Sequence, residues 1–269
     1  SPAGHQPMQD PATGNWIVFN GEIYNFKEVR RELEARGHKF KSQSDTEVIL
    51  KAYAQYGTDC VKHLRGMFAF ALWDTQAKKL FLAVDRFGIK PLYIFRGLAS
   101  GAPEARPLFA FSSEIKALLS AAVVPRDIDS RAVESFLSFG AVQAPLTMIK
   151  GVRAILPGQY LVYDAETGKV ESEFYWSPVT RNPKSEILNS KQIQNPNDQN
   201  SKRLGFEISN LDIVSNLDIR DLNFIIEDTV RHHLVSDVSV GLFLSGGVDS
   251  SALAILTHRV AGKTLDSFS

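Results

Sequence analysis

The sequence predicts an α+β sandwich of antiparallel sheets with covering helices over residues 1–176, a polar linker over 177–217, and the opening of a parallel α/β domain over 218–269. Three observations carry this reading. Between Trp16 and Trp176, short aromatic and aliphatic runs alternate with turn segments such as "DTQAK", "RFGIK" and "AETGK", which is the pattern of sequential hairpins. Helical spacing breaks into those runs at a few places. After Trp176 the composition changes abruptly to Asn, Ser, Pro, Lys and Gln.

In chain order the expected strands are "WIVF", "GMFAFALWD", "KLFLAVD", "PLYIF", "PLFAFS", "GQYLVYD" and "ESEFYW". Helices are expected at "FKEVRRELEARG", where Val29 and Leu33 mark an apolar stripe and Gly37 a stop, at "TEVILKAYAQYG" and at "SRAVESFLSFG". The linker contains a low-complexity stretch over 181–205. Beyond it, Ile219, Leu222, Ile225, Ile226, Val230 and Leu234 recur at helical period. The nearly continuous apolar run "VSVGLFL" follows, then glycines, then a second helix from about Ser250. Helix, buried strand, loop and helix in that order belong to a parallel α/β domain.

The 269 residues are 44% hydrophobic, enough for a large core. Lys plus Arg and Asp plus Glu are 30 each, so no positive field recommends nucleic acid. Apolar runs such as "ALLSAAVV" fall short of the roughly 18 residues of a membrane span, and "SPAGHQPMQD" lacks a secretory signal pattern. A cytoplasmic location without membrane partners is therefore expected. Cys60 is the one cysteine, and it reads as a small packed residue rather than a nucleophile.

Upstream candidates each have a bland account. Asn20-Gly21 between apolar segments signals a tight hairpin; alternatively the Asn20 amide and the Gly21 N–H converge as an oxyanion hole. Ser44 three residues ahead of Glu47 reads as a capping box, with Asp45 either incidental or free to bind an ammonium group. The stretch "DRFGIKPLY" reads as a glycine turn followed by a strand.

Downstream, "LFLSGGVDSS" runs from strand to helix. Its glycines admit close backbone approach, and the unpaired N–H groups of the helix start suit an anion. Ser245, Ser250 and Ser251 carry hydroxyl donors, while the charge of Asp249 calls for a divalent cation, Mg²⁺, between it and a phosphate. The alternative is a glycine turn with Ser or Asp as N-cap.

"FNGEIYNF", "SDTEVIL", "LRGMFAFALWD", "DRFGIKPLY", "SSEIKALL" and "LPGQYLVYD" together resemble the glutaminase domain of class II glutamine amidotransferases, an N-terminal-nucleophile-type sandwich. "SGGVDSS" resembles the pyrophosphate loop of N-type ATP pyrophosphatases, and the two in series resemble the glutamine-hydrolysing asparagine synthetase family. The resemblance implies that Asn20 and Gly21 form the oxyanion hole and that Glu22 and Asp45 bind glutamine, Asp45 at the α-ammonium. It implies that Ser245, Gly246, Gly247, Val248, Asp249 and Ser250 hold the β- and γ-phosphates of ATP, with the backbone of Phe243 or Leu244 near the adenine.

It further implies glutamine, aspartate and ATP with Mg²⁺ as small-molecule partners, a homodimer, and a β-aspartyl-adenylate that ammonia converts to asparagine. The family's nucleophile is an N-terminal cysteine, and residue 1 here is serine. By that comparison the chain reads as an internal piece of a longer enzyme, inactive by itself. Two alternatives stay open: an enzyme of the same build with another acceptor, including a β-lactam-type synthetase, or a non-catalytic scaffold.

Overall fold

A computed structural model describes residues 4–98, 107–122, 124–178, 219–236, 239–262 and 266–268. Most of the expected linker, including 181–205, lies outside the described residues. The chain divides into two compact units, Ser1–Thr180 and Arg181–Ser269.

The first unit is built on a six-stranded antiparallel sheet: β1 (Met8–Gln9), β2 (Trp16–Ile23), β3 (Gly66–Asp74), β4 (Lys79–Val84), β8 (Gln159–Asp164) and β9 (Val170–Phe174), in that spatial order. A second sheet places β5 (Tyr93–Leu98) between β6 (Pro107–Ser112) and β7 (Val152–Ala154). The expected strands are present; β1 and β7 are too short to register as apolar runs.

The apolar run of β3 explains its central place. Side chains alternate across a strand, so Phe68, Phe70 and Leu72 enter a core shared with α1 (Phe26–Ala35), α2 (Asp45–Tyr56) and α3 (Cys60–His63). Ala69 and Ala71 face the other way, into a core with Leu82, Val84, Leu92, Ile155 and Leu161. Bulk on the helix side and alanines on the other let Ile94, Phe109 and Phe111 of the second sheet pack close. Each fully buried large side chain contributes about 1.5–3 kcal/mol. A third cluster joins Phe95 and Val152 to Leu118 of α4 (Ile115–Ser120). The layers are therefore helix, sheet, sheet, helix, as expected for an α+β sandwich. A further helix, α5 (Ser130–Phe139), is capped by the Asp129 carboxylate and stops at Gly140 in the left-handed conformation.

In the second unit α6 (Ile219–His233) precedes β10 (Gly241–Phe243), α7 (Val248–Ala261) and β11 (Asp266–Phe268). β10 and β11 pair in parallel, so β10, α7 and β11 form a crossover unit; β10, expected to be buried, is instead exposed at Gly241 and Phe243, because the described residues give it only the short partner β11. Among the described residues no helix is long and apolar enough to cross a membrane.

Candidate functional site

Asn20 and Gly21 do not form a hairpin. They lie inside β2, which pairs with β3 without a break from Trp16↔Trp73 to Ile23↔Gly66. Glycine serves a different purpose here. A Cβ on Gly21 would lie 2.0 Å from the Met67 carbonyl oxygen and 2.7 Å from Phe68 Cα, and the backbone has φ +145°. Only glycine lets the two strands approach this closely.

The direction of the Gly21 N–H follows from hydrogen-bond parity. Successive N–H groups along a strand alternate between its two edges. The Phe19 N–H donates to Gln6 Oε1 at 2.6 Å and the Ile23 N–H to Asp45 Oδ2 at 3.1 Å, both on the edge away from β3. Gly21 lies midway, so its N–H points to that same edge. Its register partner agrees, because the Phe68 N–H donates to Asp85 Oδ2 at 3.1 Å rather than to Gly21. The Asn20 side chain is exposed, and its Nδ2 donates to Ser113 Oγ at 3.3 Å, which fixes the amide's orientation. Glu22, also exposed, shares Asn20's face by the two-residue period.

Asp45 is the first residue of α2, with Ser44 as N-cap accepting from the Thr46 N–H at 3.2 Å. Burial raises the Asp45 carboxyl above the usual range, outweighing the opposing bonds from the Ile23 and Thr46 amides. The expected capping box is only half present. Glu47 turns instead to the preceding loop, where its buried carboxylate accepts from the Lys41 and Ser42 N–H groups at 2.8 and 2.7 Å. Asp45 thus keeps acceptor capacity while Glu47 is consumed by the loop. The arrangement sets two N–H donors and a carboxylate along residues 20–23 of one strand. Such a set can stabilise an oxyanion and bind an ammonium group.

Two residues near this strand carried no sequence signal for their roles. Ser113 lies within "SSEIKALL", and its contact with Asn20 spans 93 positions, beyond the reach of any local pattern. Asp85, read as part of a turn, is 1% exposed. Cys60 is wholly buried, and burial pushes its thiol far above the ordinary range, in keeping with a packing role.

In the second unit, the Leu244 N–H donates to the Phe268 carbonyl at 2.7 Å, fastening the end of β10. Ser245 Oγ and Ser250 Oγ are 3.1 Å apart, and Ser250 Oγ also donates to the Gly247 carbonyl at 3.1 Å. The N-cap of α7 is Gly247, with no side-chain cap, so neither Ser nor Asp fills the capping role. Gly246 has φ +75° and open space where a Cβ would project. An uncapped helix start beside an unobstructed glycine fits a phosphate group. The Ser251 N–H is engaged with the Gly247 carbonyl at 3.0 Å. Phe243 and Val248 are both 85% exposed. Asp249 lies exposed in the first turn, and among the described residues no group of three or more His, Cys, Asp or Glu is placed to hold a metal ion.

The helix-flanked pair of antiparallel sheets defines the class, an α+β sandwich. Residues 1–176 match the glutamine amidotransferase domain family, and the chain belongs to it. Residues 221–269 match the asparagine synthase family. The chain is 35% identical over 256 residues to glutamine-hydrolysing asparagine synthetase 3 of Bacillus subtilis, covering 94% of this chain and 36% of that protein. It is 36% identical over 264 residues to a putative glutamine-hydrolysing asparagine synthetase of Mycobacterium tuberculosis, covering 95% and 35%. Amidase chry2 of Gibberella zeae is 32% identical over 263 residues, covering 97% and 33%. The chain thus spans roughly a third of the length of these relatives. Among solved structures, a glutamine phosphoribosylpyrophosphate amidotransferase from B. subtilis aligns with 98% of this chain and 48% of its own, at 16% identity and TM-score 0.40.

Proposed function

We propose that this chain belongs to an enzyme that hydrolyses glutamine and uses the released ammonia to make asparagine from aspartate and ATP. Residues 1–176 take the glutaminase role, 177–217 connect, and 218–269 contribute to the ATP site. The observation that carries the reading is the Gly21 N–H at the edge of β2 away from β3, with the Asn20 amide before it and the Asp45 carboxylate on Ile23 after it.

When a thiolate attacks the glutamine carboxamide, negative charge gathers on the amide oxygen. Asn20 Nδ2 and the Gly21 N–H are the donors for that oxygen, and loss of one such donor costs about 10²–10³ in rate. Asp45 pairs with the α-ammonium of glutamine, and Glu22 adds a polar contact beside it. Cys60 does not supply the thiolate, since it is buried and its thiol is held protonated. Family membership points to an N-terminal cysteine for that role.

In the second unit, Ser245, Gly246, Gly247, Val248, Asp249, Ser250 and Ser251 form the cradle for the departing pyrophosphate, with the Phe243–Leu244 backbone beside the adenine. Mg²⁺ bound with ATP would offset the Asp249 charge. Activation of aspartate as its β-adenylate then prepares it for ammonia.

The test supplies the gene product that carries this chain with amide-labelled glutamine, aspartate, ATP and Mg²⁺. Labelled asparagine with AMP and pyrophosphate is expected. Glutamate release with label on a different acceptor would replace asparagine synthesis by a related amidotransferase activity, and no glutamate release would remove the glutaminase reading.

A further inference from the structure

The turn after β4 is organised by one carboxylate. Asp85 Oδ1 accepts from the Phe87 N–H at 2.9 Å and the Ile89 N–H at 3.2 Å, while Oδ2 accepts from the Lys90 N–H at 3.1 Å and the Phe68 N–H at 3.1 Å. Three of these donors belong to the turn itself. The fourth belongs to β3, and Phe68 is the register partner of Gly21. The Asp85 backbone closes the second link, its N–H donating to the Phe68 carbonyl at 2.8 Å. Both backbone groups of Phe68 are therefore committed to Asp85.

We propose that Asp85 is a positioning residue for the oxyanion donors, acting through Phe68 on Gly21; this rests on the glutaminase reading above. The Phe68 Cα lies where a Gly21 Cβ would collide, so β2 and β3 are in direct backbone contact at this pair. Any shift of Phe68 is passed to Gly21 without side-chain slack. The Asp85 turn is itself anchored: its carbonyl accepts from the Gly158 N–H at 2.8 Å, Arg86 Nη1 donates to the Leu64 carbonyl at 2.9 Å, and Tyr175 Oη donates to the Val84 carbonyl at 2.8 Å. A carboxylate suits this place because both its oxygens accept, whereas an amide of the same shape would turn N–H₂ towards N–H donors.

The experiment compares Asp85→Asn with the unaltered protein in two measurements. In the 269-residue chain, the amide resonances of Phe68 and Gly21 and the Asn20 side-chain amide should shift together, while those of Val29 and Leu33 in α1 stay. In the gene product carrying the chain, glutamine-dependent kcat should fall tenfold to about a hundredfold, with KM for glutamine within about twofold and ammonium-dependent synthesis retained. A shift confined to Phe87, Ile89 and Lys90 with Gly21 unmoved would overturn the proposal, as would a rise in KM at constant kcat. If Asp85→Asn does not fold, Tyr175→Phe removes one anchor of the same turn and should move the Gly21 resonance less but in the same direction; an unmoved Gly21 overturns the proposal there too. Absence of glutamine hydrolysis by the unaltered protein would remove the glutaminase reading alone, and the resonances would still decide the link from Asp85 to Gly21.

Discussion

The Lys51 ammonium lies 2.7 Å from Asp10 Oδ1, and both side chains are buried, so an ion pair inside the first unit ties α2 to the turn that leads into β2. The Asp10 carboxylate also accepts from the Ala12 N–H and the Thr13 hydroxyl, both at 3.1 Å. These bonds spread the cost of burying the charge over several donors. They also fix the entry of the strand that carries Asn20 and Gly21.

Removing only the cation should be severe. Lys51→Met leaves a buried carboxylate without its counter-charge, which costs about 3–5 kcal/mol. Replacing both partners, as in Asp10→Leu with Lys51→Met, should cost less than the single change. The pH dependence has a definite sign. Burial raises the Asp10 carboxyl, but the Lys51 and Ala12 bonds outweigh it and hold the folded value below the ordinary one. The pair's contribution is therefore present above the unfolded value, about 3.9, and is lost as pH falls through the lower folded value. Urea denaturation at a series of pH values checks both points; a single variant no less stable than the double would contradict the first.

Gly21→Ala tests the close approach of β2 to β3. The new methyl would lie 2.0 Å from the Met67 carbonyl oxygen on a backbone with φ +145°, so the strands must part. A loss of at least about 2 kcal/mol is expected in the denaturant midpoint, since both crowding and strain oppose the substitution. Gly246→Ala is the contrast. Its φ is +75° but nothing stands within 4 Å of the added methyl, so only the backbone strain, about 1 kcal/mol, should appear.

What the sequence could and could not disclose follows the range of each interaction. Strands such as β3 and β4 and helices such as α1 and α2 are written in local periodicity, and they fall where that periodicity puts them. Asn20-Gly21 carried a local hairpin signal, yet the deciding contact is with Met67, far along the chain and brought near only by sheet pairing. Ser44 and Glu47 had capping-box spacing, but Glu47 found better donors at Lys41 and Ser42. Asp85 looked like any acidic turn residue because its bond to Phe68 spans 17 positions. The motif resemblance marked the stretches containing Asn20, Asp45 and Asp85 without showing why each residue is needed.

Cys60 offers a direct check on its assigned role. With a buried thiol pushed upward by desolvation, it should react with a disulfide reagent only as fast as the first unit opens. Denaturant should expose it fully. Rapid labelling of the native chain, or glutamate release that alkylation of Cys60 abolishes, would reverse its exclusion as nucleophile.

Asp45 links the proposed glutamine site to pH. Its carboxyl is raised by burial in the ligand-free protein, against the amides of Ile23 and Thr46. To pair with an α-ammonium it must be ionised, so glutamine binding should weaken as pH falls through that raised folded value, which lies above the usual 3.9 or so of aspartate. The effect on folding runs the same way for the proton: a raised folded value favours the protonated form, so its stabilising contribution is present below the unfolded value and is lost as pH rises through the folded one. Ligand binding and ligand-free stability should therefore change in opposite directions across this window. Calorimetric titration of glutamine against pH, beside thermal unfolding without ligand, measures both. Asp45→Asn should flatten both profiles and weaken glutamine binding about tenfold or more, since a charge-assisted bond is lost. If the variant keeps the parent's acid-side loss of binding, the ammonium contact belongs to another carboxylate, and Glu22 on the neighbouring strand is the next to substitute.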